Sequence, residues 1–145
     1  MVELIVAEWA CLGAIAAGPV HGYEVSKRFT RTGDLGRVWT MSRPMVYRSI
    51  DALHAARLVQ PVSSDADDGR GTTPVKLTGR GRRALHAWLD EPVGHLRDVQ
   101  PTLLLKLLLN ADLDRPTTHL LDAQQTWALD RRLACLLYTS DAADE

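Results

Sequence analysis

The sequence has too few cysteines for a disulfide framework and no apolar run long enough for a membrane-spanning helix. Its histidines are too scattered for a local metal site. The two cysteines, Cys11 and Cys135, make neither a disulfide framework nor a CxxC pair. The longest apolar run contains Lys106 and falls short of the roughly 20 residues that a spanning helix needs. The five histidines lie too far apart for a local ligand pair, so we predict no metal site. Glu3 and Glu8 stand where a signal peptide is basic, and we expect a reduced, cytoplasmic protein without a membrane partner.

The sequence also lacks the signatures of a catalytic or cofactor site. No GxSxG, P-loop or GxGxxG pattern occurs between a strand and a helix, and segment 79–81 has two glycines without the third. The aspartates of segment 65–68 lack the spacing and the final glutamate of a calcium-binding loop. We therefore predict that the protein is not an enzyme and binds no cofactor.

Charge is unevenly distributed along the chain. The 145 residues carry a formal net charge of -1, with 46% apolar and 24% charged residues, as in a globular domain with or without an appendage. Positions 22–48 hold six basic and two acidic residues, whereas positions 101–145 hold four basic and seven acidic ones. The basic segment includes Lys27 and Arg28 and is a candidate nucleic-acid surface, although most charge runs are solvated helix faces.

Apolar spacing predicts three helices in the N-terminal half. They cover 2–17, a segment starting near His21 and a third segment starting at Ser42. Serine is a preferred cap, and Pro44 suits the first turn because a proline there leaves no hydrogen bond unmade. The third helix is therefore the one with the clearest start.

A β-hairpin and a fourth helix are expected next. The strands are predicted over 59–63 and 73–77, and Thr78 is predicted to cap a helix that ends at Asp90. Three helices, a hairpin and a helix form the order of a winged helix-turn-helix. We therefore predict a mainly α fold with a small β-hairpin wing, and assign residues 1–91 to a DNA-binding domain of this type.

A helical C-terminal region is assigned to residues 92–134. It contains an apolar block at 103–109 and a last helix that opens at 116–119. Trp9, Trp88 and Trp127 are expected to make core or dimer contacts. Alternatively, Trp9 and Trp127 line a ligand pocket, since such pockets favour aromatic walls.

The last eleven residues, 135–145, resemble the translated read-through of a transposon-type sequencing adapter. The codons TGT CTC TTA TAC ACA TCT GAC GCT GCC GAC encode Cys135 to Asp144. We expect this tail to be foreign and the native helix to be truncated after Ala134, the alternative being a frayed acidic tail. Without the tail's three acidic residues, the chain has 17 basic and 15 acidic residues, which is a charge of +2.

The third predicted helix carries the candidate DNA-binding residues. A recognition helix presents its N-terminal residues to the major groove, which is wide enough to admit it. That end holds Ser42, Arg43, Tyr47 and Arg48, and either arginine can bind a phosphate or a guanine. Arg70, between two glycines at the hairpin tip, is placed to reach the minor groove or the backbone. An exposed turn residue is the alternative.

Several short motifs resemble the PadR family of transcriptional regulators over roughly residues 4–90. They are Gly18-Pro-Val-His-Gly-Tyr23, Pro44-Met-Val-Tyr-Arg48, Leu58-Val59, Gly69-Arg70 and Lys76-Leu-Thr-Gly-Arg-Gly81. The C-terminal helices resemble those of the longer family branch, in which they form the dimer. The resemblance implies a homodimeric winged-helix repressor, often controlled by a small molecule or a stress signal, with Tyr47, Arg48 and Arg70 facing DNA.

Two functions follow as hypotheses. The first is a homodimeric repressor on a palindromic double-stranded operator, with a small-molecule inducer that changes the angle between the two heads. The alternative is a winged-helix module that binds protein instead of DNA, which would need an apolar third helix where this one is charged.

Thr72, Thr73 and Val75 replace basic and aromatic residues that are usual in the family's wing, and this weakens the wing's expected contact with phosphate.

Overall fold

Residues 3–62 and 73–143 are described by the computed structural model, with side chains described outside 96–100 and 132–143. Within these ranges the chain forms six helices and a two-stranded antiparallel sheet. In chain order they are α1 (Val6–Ile15), α2 (Gly22–Arg28), α3 (Arg43–Ala55), β1 (Val59–Pro61), β2 (Val75–Leu77), α4 (Gly79–Asp90), α5 (Leu96–Asp112) and α6 (Thr118–Ala143).

The predicted winged-helix order is confirmed. Strands β1 and β2 pair antiparallel, with Val59 opposite Leu77. Val20, just before α2, forms two backbone hydrogen bonds with Val75, at 3.1 Å and 2.8 Å. These bonds tie the hairpin to the connection between the first two helices. The predicted turn at 65–71 lies outside the described residues.

The boundaries of α1 and of both strands differ from the sequence prediction. Helix α1 begins at Val6 rather than at residue 2, because Ile5 is extended and its N–H donates to the Glu8 carboxylate at 3.2 Å. This carboxylate contact is half of a capping box, which marks a helix start. Strand β1 ends at Pro61 and β2 begins at Val75, because Pro74 has no N–H to return the hydrogen bond that its carbonyl accepts from Val62.

The hydrophobic core joins α1 to α3, α4 and α5. Leu12, Leu53, Leu85 and Leu109 come from these four helices, and each is fully buried. Burying a leucine side chain stabilises the fold by about 1.5–3 kcal/mol. A Cβ at Gly13 would lie 2.6 Å from a side-chain carbon of Leu109, so the glycine allows α5 to approach α1 closely. Helix α5 is therefore part of the same core as the winged helix.

Polar contacts hold the C-terminal helices against α4 and the connection that follows it. The Gln124 side-chain amide pairs with both backbone groups of Val93, at 2.6 Å and 3.0 Å. Arg115 donates to the Asp90 carboxylate at 3.0 Å and to the Asn110 side-chain oxygen at 2.9 Å. Because buried polar groups with satisfied partners favour one arrangement, these contacts define how α6 sits on the winged helix.

Helix α6 continues without a break through position 135, where the adapter-like segment begins. The domain limits at 1–91, 92–134 and 135–145 therefore stay predictions. Among the described residues, no helix combines the length and the apolar character needed to cross a membrane.

Candidate nucleic-acid interface and adjoining cavity

Helix α3 exposes one polar face beside its N-terminus. Ser42 caps the helix by accepting a hydrogen bond from the Met45 N–H at 3.3 Å, as its sequence predicts. Arg43 and Arg48 are exposed, and Tyr47 keeps 37% of its surface accessible. The opposite face is buried, with Val46, Ile50 and Leu53 in the core. The core therefore orients the helix so that both arginines point outward.

A small groove lies between α2 and the start of α3. It has a volume of about 270 Å³ and is lined by Tyr23, Ser26, Lys27, Thr30, Met41 and Arg43. The Lys27 ammonium lies 5.4 Å from the centre of the Tyr23 ring, and the Arg43 guanidinium lies 5.8 Å from that of Tyr47. A cation over an aromatic face is held by attraction to the ring. The groove thus presents two positioned cations.

Tyr47 also joins α3 to the start of α2. A Cβ at Gly22 would lie 2.6 Å from the Tyr47 ring, so the ring occupies the space that any larger residue at position 22 would take. This close approach explains the need for glycine in the His-Gly-Tyr segment. Tyr47 remains partly exposed beside Arg43, and Arg43 shares the groove with Lys27.

Arg28 has a different environment from the other predicted cations. Its Nε and Nη2 donate to the two oxygens of Asp34 at 3.1 Å and 2.8 Å, and Nη2 also lies 3.3 Å from Asp112. The hydrogen bonds from Arg28 hold the pKa of the Asp34 carboxyl below its usual value, and they raise the pKa of Arg28. Arg28 thus forms ion pairs with two carboxylates, and the one with Asp112 links α2 to the end of α5.

Arg70, the predicted wing residue, lies outside the described residues, and its role stays a prediction. The Val62 N–H donates to the Pro74 carbonyl at 2.8 Å, so the strands are still paired where the description stops.

A larger cavity of about 780 Å³ lies between α1, α4 and α5. Trp9, one of the two predicted pocket residues, lines it together with Trp88. The two indole rings are stacked, with centroids 5.3 Å apart and an angle of 4° between the planes. Trp127 is not among the residues that line this cavity. It is half-buried on α6, and the Arg131 guanidinium lies 5.8 Å from the centre of its ring. The structure does not bring the two predicted tryptophans together.

Lys106 is a cavity residue that the sequence analysis did not identify as functional. Only 2% of its surface is exposed, although it is a lysine. Its ammonium donates to the Glu91 carbonyl at 2.5 Å and lies 4.5 Å from the centre of the Trp88 ring. Burial lowers the pKa of Lys106 to about 8, since a charged amine loses hydration there. The sequence feature that could have identified this residue is a single lysine inside a leucine-rich helix.

The described residues form neither a metal site nor a reactive thiol site. Among the residues that the structure describes, no cluster of three or more histidine, cysteine or acidic side chains is arranged to hold a metal ion. Cys11 is fully buried in α1, and burial raises the pKa of its thiol to about 12. Because the thiolate is the reactive form, this cysteine acts as a small apolar core residue.

Comparison with solved structures identifies the fold. The Bacillus subtilis PadR crystal structure in complex with operator DNA matches with a TM-score of 0.57 and 21% identity, over 74% of this chain and 59% of that chain. PadR in complex with p-coumaric acid matches with a TM-score of 0.54 and 20% identity, over 97% of this chain and 75% of that chain. A scan against protein-family models and a search of curated proteins each found no match. The chain therefore has the winged-helix fold of PadR, at 20–21% sequence identity.

Proposed function

We propose that the chain is a winged-helix transcriptional regulator that binds double-stranded DNA. The observation that carries this proposal is the exposed N-terminal end of α3, with Arg43, Tyr47 and Arg48 on its surface and Lys27 across the groove. A helix of this kind fits the major groove, and the N–H groups of its first turn attract phosphate. PadR, which has the same fold, is known in complex with operator DNA, and this supports DNA binding.

The site residues divide by position into two groups. Lys27 and Arg43 flank the groove beside the helix start, where a phosphate would meet both cations and the α3 N-terminus. Tyr47 and Arg48 lie one turn further along α3 and are placed for base edges. Arg70 is expected to add a wing contact. Arg28 is left out of this set because two carboxylates already bind it.

The proposal is tested by footprinting the protein on the DNA upstream of its own gene. We expect protection of a two-fold symmetric site, with affinity that falls steeply as salt rises because phosphate contacts release counterions. Absence of protection at 50 mM salt, combined with elution from heparin at low salt, would favour the alternative of a winged-helix module that binds protein. The polar character of α3 argues against that alternative.

The regulator is further proposed to act as a homodimer and as a repressor. Four leucines on α5 and α6 remain well exposed, namely Leu104 at 44%, Leu108 at 38%, Leu121 at 44% and Leu129 at 52%. An exposed apolar row marks a contact surface. The proposed occupant is the same face of a second copy, because a symmetric operator requires two identical heads at a set spacing.

Leu121→Asp is expected to raise the dimer dissociation constant at least about tenfold, because it puts an unpaired charge into an apolar contact. Light scattering coupled to gel filtration measures the mass as the protein is diluted. His119→Asp is the matched control, since it adds the same charge to an exposed position roughly 160° around α6. Equal masses for both variants at every dilution would place the dimer contact elsewhere.

Ligand control is proposed to act through the cavity beside Trp9. The cavity is bounded by α1 and α4 of the winged helix and by α5 of the C-terminal region. A ligand there contacts both parts at once. If it binds better to one relative position of the two parts, it shifts the population toward that position and changes the spacing of the DNA-binding heads.

A further inference from the structure

We propose that the Lys106 amine captures small aromatic aldehydes as an imine in the cavity between α1, α4 and α5. This assigns a covalent chemistry and a ligand class to the cavity through which ligand control is proposed above, and it rests on that part of the proposed function. The capture itself needs neither DNA nor a second copy of the chain.

The first argument is the position of the amine. Lys106 sits on α5 with its side chain buried, and it is one of the residues that line the cavity of about 780 Å³. Its nitrogen is fixed between the Glu91 carbonyl, at 2.5 Å, and the face of the Trp88 ring, at 4.5 Å from the centroid. Neither contact is with a carboxylate. The amine therefore has a defined place on the cavity wall and no hydrogen-bonded countercharge among the described side chains, although the charge of Glu91 offsets part of the effect of burial on its pKa.

The second argument is the protonation state that this environment favours. Only the neutral amine attacks a carbonyl carbon, and desolvation is a recognised way to activate a lysine for imine formation. Burial lowers the pKa of Lys106 from 10.5 to about 8. At pH 7 this change increases the neutral fraction of the amine roughly 300-fold.

The third argument is that the product suits the cavity better than the ammonium ion does. The nitrogen forms a bond to the aldehyde carbon, the carbon–oxygen bond breaks, and the oxygen leaves as water with the two amine protons. The resulting neutral imine removes a charge from a buried site, where an ion is poorly solvated. The reaction needs no oxidant or reductant.

The walls of the cavity determine the class of aldehyde. Trp9 and Trp88 are stacked on one side, and Val6, Ala84 and Ala87 add small apolar surfaces. Flat aromatic rings pack well against such walls, and the volume lies within the range that small ligands occupy in proteins. An aryl aldehyde therefore places its ring near the indoles and its carbonyl carbon near the amine.

The test uses the full chain, which has only three lysines: Lys27, Lys76 and Lys106. The protein is incubated at pH 7 with 6-methoxy-2-naphthaldehyde and sodium cyanoborohydride, which reduces an imine to a stable secondary amine. Peptide mass spectrometry then measures the rate at each lysine. We expect Lys106 to be labelled at least tenfold faster than the exposed Lys27 and Lys76, which serve as internal controls. Equal or slower labelling at Lys106 overturns the proposal.

Two variants separate capture by Lys106 from general reactivity. Lys106→Arg keeps the charge and Lys106→Met keeps the apolar stem, and each is expected to lose the fast adduct while Lys27 and Lys76 still react slowly. The internal comparison in the unmodified chain remains valid even if a variant unfolds. A fast adduct at Lys27 or Lys76 in the Lys106→Met chain would contradict the assignment.

DNA binding is measured on the same samples by fluorescence anisotropy. An adduct at Lys106 that leaves DNA affinity unchanged supports capture and rejects ligand control through this cavity. Normal DNA binding without a preferred adduct rejects capture and leaves the proposed regulator intact. Failure of the two proposals is therefore distinguishable.

Discussion

Replacing Arg43 and Arg48 together by alanine is expected to weaken binding to the protected DNA site about 100-fold. Both side chains are exposed at the N-terminal half of α3, and the buried residues on the other face keep the helix in place after their removal. An arginine that binds a base edge contributes about 1–3 kcal/mol, and each 1.4 kcal/mol corresponds to roughly tenfold in affinity. Fluorescence anisotropy with a labelled duplex at fixed salt measures the change.

The single variants identify which arginine binds phosphate and which binds a base. Loss of a phosphate contact weakens specific and random DNA alike and lowers the salt slope by about one unit. Loss of a base contact weakens the specific site alone. Arg131→Ala is the matched control, because it removes one exposed positive charge from α6, away from α3. If Arg131→Ala weakens binding as much as Arg43→Ala or Arg48→Ala, net charge and not the α3 surface determines affinity.

Gly81→Ala is expected to destabilise the fold by about 3 kcal/mol, at the upper end of the cost of overpacking a core. Gly81 lies in the first turn of α4, and a Cβ there would overlap the Leu58 backbone carbonyl. That carbonyl cannot move freely, since it accepts a hydrogen bond from the Thr78 N–H at 3.0 Å. Urea unfolding followed by circular dichroism measures the loss in the free energy of unfolding.

Gly79→Ala is the matched control in the same turn of α4. The nearest atom to a Cβ at this position is the end of the flexible Arg83 side chain, at 3.4 Å. With no obstacle, alanine is expected to stabilise the helix by about 0.4–1 kcal/mol because it lowers the entropy of the unfolded chain. Similar unfolding midpoints for the Gly79 and Gly81 variants would show that Gly81 does not pack closely against the Leu58 backbone.

The features that sequence predicted correctly depend on neighbouring residues. The start of α3 followed from Ser42 and Pro44, and the start of α4 followed from Thr78, which accepts from the Gly81 N–H at 3.0 Å. A cap, a helix period and a hairpin are each specified within a few positions. Their order alone was enough to predict the winged helix.

Other features of the candidate site depend on contacts between distant parts of the chain. Arg28 looked like one cation in a basic segment, but Asp112 on α5 is 84 positions away and binds it, together with Asp34. Trp9 lines a cavity and stacks on Trp88, whereas Trp127 is not among the residues that line it. No local pattern contains the identity of such partners, because they depend on how complete helices pack.

The sequence by itself determined the order of elements, the helix caps and the basic character of the α3 end, because hydrogen bonding and helix periodicity act over short spans. The tertiary structure decided which charges remain available and where a cavity forms. Packing of α5 onto α1 and α4 buried Lys106 beside Trp88 and changed a surface type of residue into a desolvated amine. Burial and charge partners belong to the assembled core, since solvation depends on every element that surrounds a group.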